Sequence, residues 1–212
     1  MNTLYFFLIL SIIFYMIGTI PYMYHIFYGR VIPHPFSWTV WFLFSVANGY
    51  ILFQSMGYSP SLIVIGIRSW VLFIWSLLGW YYLRKIQIGT IDIVALVLAV
   101  MTISMLHFFW LNQAVISMIV IDFLILCPTI KKIWIDPRSE DPIIWITSSL
   151  SFIFFILSLP SIDITKVLFW FYVVFENSLI ALLIYRRTLY LSNWKHSIKR
   201  YIEYLAFKLK LW

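Results

Sequence analysis

The chain has 212 residues, of which 63% are hydrophobic and only 11% are charged, and its net charge is +7 at neutral pH. A soluble globular domain carries about 25% charged residues, so this composition excludes a soluble protein and indicates an integral membrane protein. The single cysteine, Cys127, excludes an intrachain disulfide.

Seven segments are long and apolar enough to cross a bilayer, which takes about 20 mostly apolar residues. In chain order they are residues 4–27, 36–56, 61–83, 91–110, 114–134, 142–160 and 165–186. Turn-forming or charged clusters separate them, and the weakest separator is Asn112–Gln113 between the fourth and fifth segments. The sequence therefore predicts an all-α membrane protein with seven transmembrane helices.

The basic residues predict the orientation of these helices. All but two of the 15 Lys and Arg residues follow the first, third, fifth or seventh segment. The exceptions are Lys166 and Arg68, and Arg68 lies inside the third segment. Basic residues near membrane segments stay in the cytoplasm, so we expect the N-terminus outside and the C-terminus inside.

Two stretches of the sequence carry prolines and a tryptophan at the same spacing. "PYMYHIFYGRVIPHPFSW" (21–38) and "PTIKKIWIDPRSEDPIIW" (128–145) align at an offset of 107 residues without a gap. The alignment pairs Pro21 with Pro128, Ile26 with Ile133, Pro35 with Pro142 and Trp38 with Trp145. We interpret this as two parallel three-helix repeats, residues 1–86 and 112–186, joined by a linker helix within 87–111.

A 3+1+3 plan with the N-terminus outside, and with a proline near the inner end of the first helix of each repeat, resembles the SWEET and PQ-loop transporter superfamily. The resemblance implies that the two repeats rock around a central site. It also implies that Pro21 and Pro128 act as hinges, and less directly Pro35 and Pro142. The alternative for the second pair is that these prolines begin helices, where a missing N–H costs nothing.

The tryptophans of the repeated stretch have two interpretations. Trp38 and Trp145 could narrow the inner mouth of a pathway as a gate. The simpler interpretation is that they anchor their helices at the membrane surface, where tryptophan is enriched.

Three charged residues fall well inside predicted membrane segments, away from their ends: Arg68, Asp122 and Glu176. A charge at the bilayer centre costs roughly 2.5–3.5 kcal/mol on insertion scales, so such residues usually face a cavity or a partner. By the family resemblance, Arg68, Glu176 and Asn177 line a substrate site, to which Asn48 adds hydrogen bonds. The alternative is a structural ion pair between Arg68 and one of the carboxylates. Asp122 could bind substrate, couple transport to protons or join two helices.

Residues 187–212 predict a basic amphipathic helix on the cytoplasmic leaflet, in contact with anionic lipid. A partner-binding helix is the alternative. The histidines, His25, His34 and His107 among them, do not have metal-ligand spacing. We expect no cofactor, no metal and no nucleic-acid partner.

These features predict a small-solute transporter that works by alternating access on a polar or charged metabolite. The rival is a receptor or sensor of the same fold that binds a ligand without moving it, and an assembly protein without a ligand stays open. We expect no enzymatic activity, because the loops carry no catalytic constellation. The frequent Ile residues favour a bacterial inner membrane. The sequence leaves the oligomeric state open, with a homo-oligomer among the alternatives.

Overall fold

The structure, a computed structural model, describes residues 2–31, 33–82, 89–104, 111–160 and 164–209. Within these ranges the chain forms seven α-helices and one short 3-10 turn, Pro137–Ser139. The helices are α1 (Asn2–Phe27), α2 (Pro35–Met56), α3 (Pro60–Tyr81), α4 (Thr90–Ser104), α5 (Leu111–Ile135), α6 (Pro142–Leu157) and α7 (Ile164–Leu209). The predicted all-α class is confirmed.

The prolines occupy two kinds of helical position. Pro35 and Pro142 stand in the first turns of α2 and α6, where the absent N–H would have no helical partner anyway. Asp141 caps α6, since its Oδ1 accepts a hydrogen bond from the backbone N–H of Ile143 at 2.9 Å. Pro21 and Pro128 instead lie inside α1 and α5. Pro35 and Pro142 are therefore helix starts, whereas Pro21 and Pro128 interrupt the backbone bonding of continuous helices.

Four of the described helices are long and apolar enough to cross a membrane. They cover Thr3–Phe27, Pro35–Met56, Pro60–Tyr81 and Val167–Tyr190, and two further apolar helices, Asp92–Ser104 and Pro142–Leu157, are shorter. The outer face of α1 exposes Phe6, Ile9, Ile13, Ile17 and Ile20. Water would solvate such a continuous apolar face poorly, whereas lipid tails solvate it well. The protein is therefore a membrane protein.

The helices do not pack in chain order. The most extensive contacts join α1 to α6 and α2 to α3, followed by α6 to α7. Further contacts join α5 to α7, α2 to α5 and α1 to α3, and α4 packs on both α2 and α5. Helices from the two halves of the chain therefore meet along two lines, α1–α6 and α2–α5.

Small residues bring α1 and α6 into close contact. A Cβ at Gly18 would overlap the Thr147 hydroxyl and come within 3.0 Å of the Ile144 side chain. One to two turns away, the Ser11 hydroxyl donates to the Ser151 carbonyl at 2.9 Å, and the Ser151 hydroxyl donates to the Ser11 carbonyl at 2.5 Å. Close approach through small residues, with hydrogen bonds between helices, is typical of helix packing in membranes.

The last helix is longer than the sequence suggests. We predicted a membrane segment that ends at residue 186 and a separate tail, but α7 runs without a break from Ile164 to Leu209. Near the middle of this helix, Arg187 Nε donates to the Trp134 carbonyl at 2.8 Å, and the guanidinium lies 4.9 Å from the Trp134 ring centroid. Side chains beyond Tyr190 lie outside those described, and the predicted amphipathic surface falls there.

Candidate functional site: a central cavity

A cavity with a volume of about 100 Å³ lies between six helices, all except α4. One water molecule needs roughly 10–15 Å³ of such space, so the cavity has room for several waters or a small solute. Its charged and amide-bearing lining residues are Arg68, Asp122, Glu176 and Asn177, and two serines, Ser45 and Ser148, add hydroxyls. Its aromatic lining residues are Tyr15, Trp38, Trp41, Phe44, Trp75, Trp145, Phe152, Phe169 and Trp170.

Arg68 comes from α3 and lies against α1 and α6. Its side chain is buried, and Nη2 donates to the hydroxyls of Ser11 at 2.9 Å and Ser151 at 2.6 Å. The guanidinium also lies 3.9 Å from the Phe152 ring centroid. Its Nε and Nη1 atoms are buried and have no hydrogen-bond partner in the protein. Arg68 thus has donors left over for another group in the cavity.

Asp122 and Glu176 come from α5 and α7 and line the same cavity, and neither forms an ion pair with Arg68. Asp122 Oδ1 accepts a hydrogen bond from the Trp41 indole N–H at 2.7 Å, which fixes the carboxyl group against α2. The two carboxyl groups interact with each other, and Tyr172 lies beside both. Asp122 Oδ2 is buried without a well-formed hydrogen bond. This side therefore presents acceptors, as the Arg68 side presents donors.

The structure does not pair these charges. In the part of the chain that the structure describes, the ion pairs are His25–Asp141, His34–Asp92 and Lys132–Glu140. Arg68 makes its polar contacts to serines instead. The alternative of a structural ion pair between Arg68 and a membrane carboxylate is therefore not what the fold contains.

The two predicted asparagines have different surroundings. Asn177 lines the cavity, although its Nδ2 donates to the Val173 carbonyl one turn earlier at 2.7 Å. Asn48 is buried, and its Nδ2 donates in the same way to the Phe44 carbonyl at 2.8 Å. Asn48 does not line the cavity, so the structure leaves it out of the group that surrounds the space.

Tryptophans close one end of the cavity. Trp38 and Trp145 are only 6% and 4% exposed, and their rings face each other with centroids 6.5 Å apart at 26°. Trp75 packs on Trp38 at 4.6 Å, and Tyr22 packs on Trp75 at 4.9 Å. A surface anchor must face lipid, so the interpretation of Trp38 and Trp145 as anchors is wrong. They line the cavity, as their interpretation as a gate requires.

A polar network lies beside this aromatic end. His25 Nδ1 and the Asp141 carboxylate are 2.9 Å apart, which links the end of α1 to the start of α6. Lys132 Nζ donates to Glu140 Oε1 at 2.8 Å, and the Tyr22 hydroxyl donates to the other Glu140 oxygen at 3.5 Å. The network joins the ends of α1 and α5 to the loop before α6.

Sequence reasoning missed several residues around the cavity, chiefly Tyr15, Trp41, Ser11 and Ser151. Aromatic and small residues are ordinary in membrane helices, so their type alone gives no signal. The repeat offset does give one, because Tyr15 stands 107 residues before Asp122. His107 falls outside the described residues, and among those described no group of three or more His, Cys, Asp or Glu could hold a metal ion.

Comparisons with protein-family models, with curated proteins and with solved structures found no match to this chain. The function is therefore inferred from the cavity itself.

Proposed function

We propose that the protein is a small-solute transporter that works by alternating access between two three-helix units, as a divergent member of the SWEET and PQ-loop superfamily. The observation that carries the proposal is the cavity between α1, α2, α3, α5, α6 and α7, with Arg68, Asp122 and Glu176 buried around it but not paired across it. Unpaired buried charge is costly, and membrane proteins usually retain it where it contacts a substrate or an ion.

The cavity lining supports two equivalent units. Four pairs of lining residues stand at the repeat offset of 107: Tyr15 and Asp122, Trp38 and Trp145, Trp41 and Ser148, Ser45 and Phe152. Equivalent positions of two repeats line one space when a two-fold axis passes through it. Such an axis places the solute between the units, as in transporters built from parallel repeats.

The helix contacts support the same plan. The α1–α6 contact has its counterpart in α5–α2, the α2–α3 contact in α6–α7, and the α1–α3 contact in α5–α7. Among the described residues, helix α4 makes its extensive contacts with α2 and α5, as expected of a linker between units α1–α3 and α5–α7. Rocking of one unit against the other would then open the cavity to either side in turn.

The proposed orientation, with the C-terminus inside, puts the polar network at the cytoplasmic end. The contacts of Asp141 with His25 and of Glu140 with Lys132 would close that end. Pro21 and Pro128, inside α1 and α5, are the proposed hinges, whereas Pro35 and Pro142 hold helix starts in place. We place the protein in a bacterial inner membrane.

Counterflow in proteoliposomes tests the proposal. The purified protein is reconstituted and scored for exchange of labelled sugars, amino acids, nucleosides and quaternary ammonium solutes. We expect exchange of at least one solute, and Arg68→Gln should lower it at least tenfold. The matched control is Arg187→Gln, which removes an arginine that contacts Trp134 outside the cavity. Binding without exchange would contradict the transporter and favour a receptor, and neither binding nor exchange would contradict both.

A further inference from the structure

The cavity has a basic side and an acidic side. Arg68 is held between α1 and α6 by Ser11 and Ser151. The carboxyl group of Asp122 on α5 contacts α2 through Trp41 and interacts with the carboxyl group of Glu176 on α7. The α1–α6 and α2–α5 contacts are separate lines of packing, so the opposite charges face the cavity from different directions.

This separation restricts the charge of the solute. Leaving a buried charge without a partner costs several kcal/mol, and a ligand group of opposite charge offsets that cost. A singly charged solute would satisfy one side of the cavity only, and a neutral sugar would satisfy neither. A solute with an acidic group at one end and a cationic group at the other would satisfy both.

The aromatic walls restrict the cationic group further. The Trp41 ring holds Asp122 by its N–H, and its centroid lies 4.7 Å from that of Trp38 and 5.8 Å from that of Trp145. Aromatic rings around an acidic group are the setting in which proteins bind quaternary ammonium ions, by cation–π attraction. A primary ammonium would need three hydrogen-bond acceptors, which the two carboxyl groups alone would have to supply because the indole rings cannot.

The basic side fits a carboxylate. Arg68 Nε and Nη1 are the buried donors without partners, and guanidinium groups bind carboxylates through strong charge-assisted hydrogen bonds. The Phe152 and Tyr15 rings, 3.9 Å and 5.4 Å from the guanidinium carbon, exclude water from this side. Exclusion of water strengthens the attraction between opposite charges.

We infer that the solute is a zwitterion of the betaine class, with its carboxylate on Arg68 and its quaternary nitrogen among Trp41, Asp122 and Glu176. The inference rests on the proposed function, because it names the substrate of that same cavity. It also predicts an optimal distance between the two charges, set by the width of the cavity.

Binding of matched isosteres to the purified full-length protein in detergent tests the inference. Four probes are titrated by isothermal calorimetry: γ-butyrobetaine, its methyl ester, the carboxylate with a tert-butyl group in place of trimethylammonium, and the neutral methyl ester of that carboxylate. We expect γ-butyrobetaine to bind at least tenfold more tightly than any of the other three. Glycine betaine and β-alanine betaine then locate the optimal charge separation. Equal affinities for all four probes, or tighter binding of the neutral ester, would overturn the inference.

Variants assign each charge to its side. Arg68→Gln should abolish the preference for γ-butyrobetaine over its methyl ester but keep the preference for quaternary nitrogen over tert-butyl. Glu176→Gln should abolish the preference for quaternary nitrogen over tert-butyl but keep the preference for γ-butyrobetaine over its methyl ester. Arg187→Gln and Asp136→Asn, which change charges outside the cavity, should preserve both preferences. The wild-type comparison decides the question even where a cavity variant fails to fold, and loss of both preferences in Arg187→Gln would contradict the assignment.

The two proposals fail in distinguishable ways. Counterflow of a neutral sugar, with no preference among the four probes, would keep the transporter and overturn the betaine class. Selective binding of γ-butyrobetaine without counterflow would keep the betaine site and overturn the transporter.

Discussion

Two lines of contact join the halves of the molecule, and they differ in construction. Along α1–α6 the helices touch through Gly18, Ser11 and Ser151, and Arg68 donates into the paired serines. Along α2–α5 the contact is smaller, with a hydrogen bond from the Ser37 hydroxyl to the Ile125 carbonyl at 3.2 Å and one from Trp41 to Asp122. Helix α4 packs against both α2 and α5, and its described residues contact α1 and α6 much less.

The comparison teaches that equivalent interfaces can be stabilised by different means. Small residues let backbones approach, so α1–α6 depends on close packing that cannot tolerate added atoms. The bulky Trp41 spaces α2–α5, which depends on side-chain hydrogen bonds and on the brace that α4 provides. We expect the α1–α6 interface to be more sensitive to substitution, and the following changes test that difference.

Gly18→Val should have the largest effect. The added side chain would overlap Thr147 and force α1 away from α6. Overpacking of this kind costs roughly 1–3 kcal/mol or more, and for a chain of this size 3 kcal/mol lowers Tm by roughly 6–12 °C. Thermal unfolding in detergent measures the change. The matched control is Gly66→Val, since a Cβ at Gly66 meets nothing within 4 Å. An equal loss in both variants would contradict close packing as the basis of this interface.

Replacing both Ser11 and Ser151 with alanine should have the next largest effect. The double variant leaves Arg68 Nη2 without either acceptor, and a lost bond to a charged group costs about 1.5–3 kcal/mol. Ser149→Ala is the control, because the hydroxyl of Ser149 bonds to Ser178 and to the Val174 carbonyl and not to Arg68. We expect the control to lose less than half as much stability in the same melting experiment. Similar losses would mean that the serines act by helix contact and not through Arg68.

Trp41→Phe tests the other interface and should cost about 1.5 kcal/mol, the lower end of the range for a hydrogen bond to a charged group, because a single bond is lost. An aromatic ring is kept, although a smaller one, and the donor to Asp122 Oδ1 is lost. Trp80→Phe removes a similar bond, from Nε1 to the Thr39 hydroxyl at 3.0 Å, at an exposed position, and should change stability less. Melting temperatures compare the two, and a larger loss in Trp80→Phe would contradict the role given to Trp41.

Substitution of His34 should give the smallest effect, a change in how the stability depends on pH. Burial lowers the pKa of His34 below its ordinary value, although Asp92 opposes this and Lys132 adds to it. The folded protein therefore binds the proton less readily than the unfolded chain, so the stability is full above about pH 6.5 and falls as the pH decreases. His34→Gln should flatten the change in Tm between about pH 7.5 and 5.5 by a degree or two. An unchanged pH profile would contradict this account of the α2–α4 contact.

The sequence predicted the helices well because a membrane leaves little choice: an apolar run of about 20 residues forms a helix. It also singled out Arg68, Asp122 and Glu176, because charge inside such a run is conspicuous. It could not show that the acceptors for Arg68 are Ser11 and Ser151, since serine has no distinctive pattern and both residues are distant along the chain.

Other misses have physical reasons. The interpretation of Trp38 and Trp145 as surface anchors failed because tryptophan is suited both to a membrane surface and to a buried stack. The uninterrupted α7 could have been predicted, since residues 164–209 contain no glycine or proline to end a helix. The apolar pattern stops near residue 186, but no helix-breaking residue ends the helix there.

The continuous α7 converts small rotations into large displacements. Its 46 residues extend about 69 Å at 1.5 Å per residue, more than twice the roughly 30 Å of hydrocarbon that a membrane helix must cross. The part beyond the Arg187–Trp134 contact is about 33 Å long, so a tilt of 10° about that contact would move its far end by about 6 Å. A probe attached near Leu209 would therefore report, as a displacement of several ångströms, a helix tilt that is too small to follow at the cavity directly.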